Sequence, residues 1–373
     1  MVLLTPGPTP IHPLVQAALA KPMRGHLDPE TLATNRRIRG YLEALFGAGE
    51  GALLAAMPGS GSLGMEAGLT NLASQGDAVL LLVNGTFGER MVEIAHAYGM
   101  RYTVLRAEPG QPIDPEAVRR ALAERRYQLV TLVHGETSTG VINPAAEIAA
   151  LVREHGAYFM LDAVTTAGMM PLSMTAMGVD YAFTGSQKCL SAPPGLAPFA
   201  LSRRGRERLG KAHVPGWYSD LARVAVYWEQ EGYFCTSPVL LHFALEEALR
   251  LALEEGLEKR YQRAKRLYGQ VLGLLEELGF RAYAAPEARL PTVLTVRPPE
   301  GFSEADLRKG LYQRGVSVAG GIGPTAGQML RLGLMGESAR EEHYRVFFRA
   351  LGEVMGKNGL EEAFLERTQP AAV

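Results

Sequence analysis

Two cysteines, Cys189 and Cys235, are all that this chain of 373 residues contains. Their placement lacks the paired spacing of zinc sites and disulfide frameworks. Disulfide stapling is therefore excluded, no metal site is expected, and a reducing compartment fits best. An excess of charge is missing too: 38 Lys and Arg against 39 Asp and Glu leave a formal net charge of −1. No global field favours nucleic acid or an anionic membrane, and neither is an expected partner. The densest basic cluster, Arg203-Arg204-Gly205-Arg206, reads as a solvated helix start. No apolar run reaches the ~20 residues of a membrane-spanning helix. The opening Met1-Val2-Leu3-Leu4 meets Thr5-Pro6-Gly7-Pro8 too soon for a signal-peptide core. The expected location is cytoplasmic.

What the chain has in quantity is regular alternation. Apolar residues make up 47% and charged residues 21%, an ordinary globular composition with ample material for a core. Residues 1–25 are punctuated by Pro and Gly and predict an extended arm with a short helix near Pro13–Ala20. Asp28-Pro29-Glu30 is a helix start, with a cap, Pro at the first position and an acid at the positive end of the dipole. That helix should stop at Gly47. Short apolar runs then alternate with amphipathic ones: strands at Ala52–Met57, Ala78–Val83, Tyr102–Leu105, Leu129–Val133, Tyr158–Leu161, Tyr181–Thr184 and Ala197–Leu201. The pattern predicts an α/β fold, a mostly parallel sheet flanked by helices. Asn143-Pro144 should start one of those helices. Long helices are expected at Leu240–Glu255 and Leu257–Leu278, broken at Gly256. Strands at Arg281–Ala284, Thr292–Val296, Val316–Ala319 and Met329–Leu334 then suggest a smaller C-terminal α/β domain. The boundaries read as 1–25 for the arm, 26–259 for the large domain and 260–373 for the small one.

Ligands in such sheets bind beyond the C-terminal strand edges, and the chemistry-bearing residues fall there. Lys188, in Gly185-Ser186-Gln187-Lys188, follows a small polar turn and can present its amine as a Schiff-base nucleophile. Asp162 ends the apolar run Tyr158–Leu161, where a buried strand would deliver a carboxylate. Gly59-Ser60-Gly61-Ser62 opens a helix and can cradle a phosphate. An aldehyde, an acid under a ring nitrogen and a phosphate site together describe pyridoxal 5′-phosphate. Lys188 would hold it as an internal aldimine and later move the proton between Cα and C4′. Taken singly, each piece has a blander reading: a solvated turn, a helix cap, a linker. Their order at successive strand–helix junctions favours the cofactor. Ser60, Gly61, Ser62 and Gln187 would hold the phosphate. Phe87 would stack on the ring or pack as a core aromatic, with Val164 on the other face and Thr137 on the phenolic oxygen. Arg331, inside an apolar strand pattern, needs a partner: a substrate carboxylate or a structural salt bridge.

With these residues in hand, the chain resembles the class V, fold-type I aminotransferases, in the alanine–glyoxylate and serine–glyoxylate (serine–pyruvate) branch. The resemblance runs from Leu4-Thr5-Pro6-Gly7-Pro8-Thr9 and Arg24-Gly25-His26 through His134-Gly135-Glu136-Thr137-Ser138-Thr139-Gly140 to Gly185-Ser186-Gln187-Lys188 and Arg331-Leu332-Gly333-Leu334-Met335-Gly336. It implies transamination from alanine or serine to glyoxylate or pyruvate by a ping-pong route, in a homodimer with active sites at the interface. It also implies that Tyr233 and Thr236, in Tyr233-Phe234-Cys235-Thr236, reach the neighbouring subunit's cofactor phosphate. Gly7 would lie by the substrate carboxylate opposite Arg331. Two positions depart from the branch, which usually has His at 62 and Trp at 87. A cysteine desulfurase or other lyase, a phosphonate-amine transaminase and a non-catalytic scaffold are the alternatives. The loop Lys211–Trp228, with Trp217, Tyr218, Tyr227 and Trp228, either walls the site or packs.

Overall fold

Seven strands form the principal sheet of the computed structural model, which describes residues 1–211 and 214–368. Their order across the sheet is Leu53–Pro58, Leu196–Leu201, Tyr181–Phe183, Tyr158–Asp162, Leu129–Val133, Ala78–Val83 and Arg101–Arg106. Only Leu196–Leu201 runs against its neighbours. The central runs Leu129–Val133 and Ala78–Val83 are apolar almost throughout and buried, as a sheet covered on both faces requires. In register, Val133 pairs with Asp162 and Asp162 with Phe183. Three strands therefore end level, and the segments after them converge on one edge.

The helix Pro29–Phe46 matches its local signals. Asp28 accepts from the Glu30 N–H at 2.9 Å, and Gly47 closes it in the left-handed region, φ 56°. The helix expected from Asn143-Pro144 is present as Ala145–Glu154 and starts without a side-chain cap. The Asn143 amide donates to the Val133 carbonyl and Asn84, and its Oδ1 accepts from the Ile113 N–H, which bridges loop ends.

A second, antiparallel sheet has the order Arg281–Ala282, Val293–Arg297, Leu330–Gly333, Ala319–Gly320. The strand expected over Val316–Ala319 is divided: Val316–Ser317 instead pairs in parallel with Val2–Leu3 of the arm. The arm is thus partly strand, and Leu4 is fully buried in the second core. That core gathers residues from Ala264 onward together with Leu4, Met169, Met170 and Cys189, while the first runs from Val15 to Leu249. The segment expected as the loop Lys211–Trp228 includes residues 212 and 213, which lie outside the described residues. Its later part enters the helix Leu221–Gln230, which buries Tyr227 and Trp228 in the first core, while Trp217 and Tyr218 are exposed. Among the described residues no helix is long and apolar enough to cross a membrane.

Candidate active site

At the C-terminal edge of the large sheet lies a cavity of about 250 Å³. It is lined by Ser60, Gly61, Ser62, Met65, Phe87, Arg90, Val133, Gly135, Thr137, Asp162, Val164, Gln187 and Lys188. Nine of the residues expected from sequence meet there.

Asp162 is the last residue of its strand and is buried, its Oδ1 accepting from the Val164 N–H at 2.9 Å. Burial, helped by the charge of Glu136, pushes its carboxyl up to about 7. Lys188 sits in a turn whose backbone is tied down at many points. Ser186 bonds the Pro193 carbonyl, and Thr9 donates from its N–H to the Gln187 carbonyl and from its hydroxyl to that of Lys188. Arg260, buried on the helix Leu257–Glu277, donates to the carbonyls of Gly168 and Cys189 and pairs with Glu255. The Lys188 ammonium donates to the Pro6 carbonyl at 2.5 Å. Burial, and then the charge of Arg331, lower it to about 8, so a useful fraction is the neutral, nucleophilic amine. Gly7 has φ +85°, and a Cβ there would stand 2.3 Å from Lys188 Cδ. The arm therefore needs glycine where it crosses the lysine.

Opposite, the helix Gly61–Leu72 points its N-terminus at the cavity, with Ser60 capping the Ser62 N–H. A Cβ on Gly61 would press Val164 at 3.1 Å. The Oε1 of Gln187, an acceptor, is buried without a partner. A buried acid, an amine and the open N–H groups of a helix start around one cavity fit pyridoxal phosphate.

Arg331 lies behind the cavity wall rather than on it. Its Nε donates to the Gly320 carbonyl at 2.7 Å and its NH1 toward the Thr137 carbonyl at 3.4 Å. Burial lowers its guanidinium, with Glu136 opposing. Among the described residues it makes only carbonyl contacts and no carboxylate pair, so the structural salt bridge is not what holds it. Tyr233 and Thr236 are not brought to this cavity within one chain. They line a separate one of about 430 Å³ with Trp217, Tyr218, Arg223, Val226, Phe234 and Cys235, and Tyr233 is 62% exposed. Cys189 is fully buried and its thiol is pushed up to about 12, which suits packing and not nucleophilic chemistry.

Sequence reading misses Glu136 and Arg90. Glu136 is fully buried and spends its lone pairs on four donors. Oε2 accepts from the Phe87 and Gly88 N–H groups at 3.1 and 3.2 Å, and Oε1 from the Ser138 N–H and hydroxyl at 3.0 and 2.7 Å. It thereby does the capping that Gly85 cannot do for the helix Thr86–Ala97. Burial raises its carboxyl, and these four bonds hold it back. A Cβ on Gly85 would overlap Glu136 Cγ at 2.4 Å. Arg90, three residues after Phe87, places its guanidinium 4.8 Å from that ring's centroid. The i,i+3 spacing is the one signal that could have paired them. Glu136→Gln should turn one accepting oxygen into a donor facing other donors. A loss of about 2–4 kcal/mol is expected, read as an apparent melting midpoint lowered by several degrees. An unchanged midpoint would show that the cap carries no weight.

The family model for class V aminotransferases matches residues 36–342. The alanine–glyoxylate aminotransferase of Callithrix jacchus is 33% identical over 95% of this chain and 87% of its own. The crystal structure of ureidoglycine–glyoxylate aminotransferase from Bacillus subtilis superposes with a TM-score of 0.94 at 31% identity, covering 98% of this chain and 97% of that one. The alanine–glyoxylate aminotransferase structure from Nostoc sp. gives a TM-score of 0.91 at 37% identity, with 95% of each chain covered. With the cavity, its lysine and its acid already placed, these likenesses make the chain a class V aminotransferase of the alanine–glyoxylate-like branch, a family that uses pyridoxal phosphate.

Proposed function

We propose that this enzyme moves an amino group from a small amino acid, alanine or serine, to glyoxylate or pyruvate. The observation that carries the reading is the meeting of the Lys188 amine and the Asp162 carboxylate in one cavity, with an arginine behind it bonded only to carbonyls. The three relatives named above all carry glyoxylate in their names, which supports that acceptor.

The cofactor supplies an aldehyde that condenses with amines and a ring that withdraws electrons from Cα. Asp162 would hold a proton at the ring nitrogen. The Lys188 amine would carry the proton between the substrate Cα and the C4′ position. Phe87 and Val164 would cover the two ring faces, and Thr137 would bond the phenolic oxygen. Ser60, Gly61, Ser62 and Gln187 would hold the phosphate. Arg331 would turn from its carbonyl partners to a substrate carboxylate beside Gly7, exchanging neutral acceptors for a charged one.

The same reading makes the enzyme a homodimer. Tyr233 and Thr236 would reach the phosphate of the neighbouring subunit, which accounts for the exposure of Tyr233 and of Trp217. The desulfurase alternative lacks support, because Cys189 is fully buried and Cys235 lines a separate cavity from the one that holds Lys188. In a half-reaction screen, amino acids are added singly to the cofactor-loaded protein and conversion to the pyridoxamine form is followed by absorbance. Alanine or serine should convert it rapidly, and glutamate or aspartate at least about tenfold more slowly, a difference of ~1.4 kcal/mol in barrier. The reverse order would overturn the donor assignment and leave the family membership intact.

A further inference from the structure

We propose that Arg90 is a cofactor-phosphate residue: stacked on Phe87 and bonded to Ser62, its guanidinium supplies the fixed positive charge of the phosphate cradle. This rests on the reading of the cavity as a pyridoxal phosphate site.

The first argument is charge. A phosphate monoester carries about −1.5 to −2 at neutral pH, and a helix N-terminus offers only about half a positive charge. Ser60, Gly61, Ser62 and Gln187 are neutral. Lys188 and Arg90 are the cations on the described wall of the cavity, and the lysine amine is committed to the aldehyde. Without Arg90, most of the dianion's charge would go uncompensated by the rest of the cradle.

The second argument is geometry. The Arg90 NH1 donates to the Ser62 hydroxyl oxygen at 3.0 Å, which places the guanidinium at the helix start. A hydroxyl that accepts this bond keeps its own proton free to donate. A phosphate accepts only, so Ser62 and Arg90 present it with two donors from one point. The stack on Phe87, 4.8 Å to the ring centroid, covers one face of the guanidinium and leaves its donor edge to be aimed. Glu136 fixes the first turn of the helix that carries both residues. The support of the ring and the support of the phosphate are thereby mechanically one unit.

Substrate carboxylate binding is the rival role. Arg331 is already available for it through its carbonyl-only contacts, while Arg90 leans on Ser62 at the start of the helix Gly61–Leu72.

The test compares two ligands of the cofactor-free protein by fluorescence or absorbance titration: pyridoxal phosphate, and pyridoxal, which lacks the phosphate. Arg90→Met should weaken the first by roughly 10- to 100-fold, the weight of a charge-assisted hydrogen bond, and the second by less than about threefold. Arg90→Lys, which keeps the charge but not the fork, should recover part of the loss and guards against a misfolded Met variant. Inorganic phosphate should raise the melting midpoint of the wild type and not of Arg90→Met. An equal fall in affinity for both ligands would reduce Arg90 to a prop for Phe87 and overturn the proposal, as would an unchanged affinity for pyridoxal phosphate. A wild-type protein that binds neither ligand would defeat the cofactor reading itself.

Discussion

Lys188→Ala is expected to lower turnover by at least about 10⁴-fold, because one substitution removes both the covalent attachment point and the proton carrier. The structure concentrates the means for both roles on this amine. The loop that bears it is tied to the arm through Thr9 and to the long helix through Arg260. Burial and the neighbouring Arg331 bring it to about 8, close to working pH, where an amine gives and takes protons with little bias. Borohydride should fix the cofactor to a peptide containing residue 188 in the wild type and to none in the variant. Lys188→Arg should be as inactive as the alanine variant, since it restores charge without a nucleophile. Cofactor fixed to any other side chain in the wild type would refute the assignment.

Asp162→Asn should lower turnover by about 10²- to 10³-fold, the usual weight of one preorganised electrostatic partner. An amide cannot balance a protonated ring nitrogen, and the ring then withdraws electrons poorly. The substitution also has a signature independent of activity. In the cofactor-free protein Asp162 titrates near 7 rather than at 3.8, chiefly because it is buried. Between about pH 4 and 7 the native state keeps a proton that the unfolded chain has released. Cofactor-free stability should therefore fall as pH rises through that window, by up to about 1.4 kcal/mol per pH unit from this group. Asparagine abolishes that contribution. Lys188 acts with the opposite slope at higher pH. Lowered to about 8 from 10.5, it leaves the native state with fewer protons than the unfolded chain, so stability should rise with pH between those values. Denaturant melts of the cofactor-free wild type and Asp162→Asn at pH 5 and pH 7 decide the matter. Identical pH dependences would mean that burial of this carboxylate costs nothing.

Much of this arrangement is legible in the residues themselves. Asp28, Pro29 and Gly47 bound their helix because caps and breakers act over a few residues. The strands Ala78–Val83 and Leu129–Val133 stand where continuous apolar runs place them. Asp162 and Lys188 can be picked out because ligands gather past the ends of such strands. What stays hidden involves partners distant in sequence. Nothing near Val316 says that Val2 will pair with it, or that Ala319 will turn to another strand two residues later. Asn143 stands before a helix, and nothing beside it says that its side chain will bridge to Val133, Asn84 and Ile113. The segment around Tyr227 and Trp228 looks like a loop and is helical.

The order of strands and helices, and the places of Asp162 and Lys188 past strand ends, were decided by short-range patterns of burial and capping, which a chain carries in its own neighbouring residues. Packing alone decided that Glu136 would cap a helix some fifty residues upstream, that Pro6 would receive the Lys188 ammonium, and that Arg90 would lie between Phe87 and Ser62. Those contacts form only when loops close over a finished sheet. Each depends on the position of a backbone that no local preference specifies.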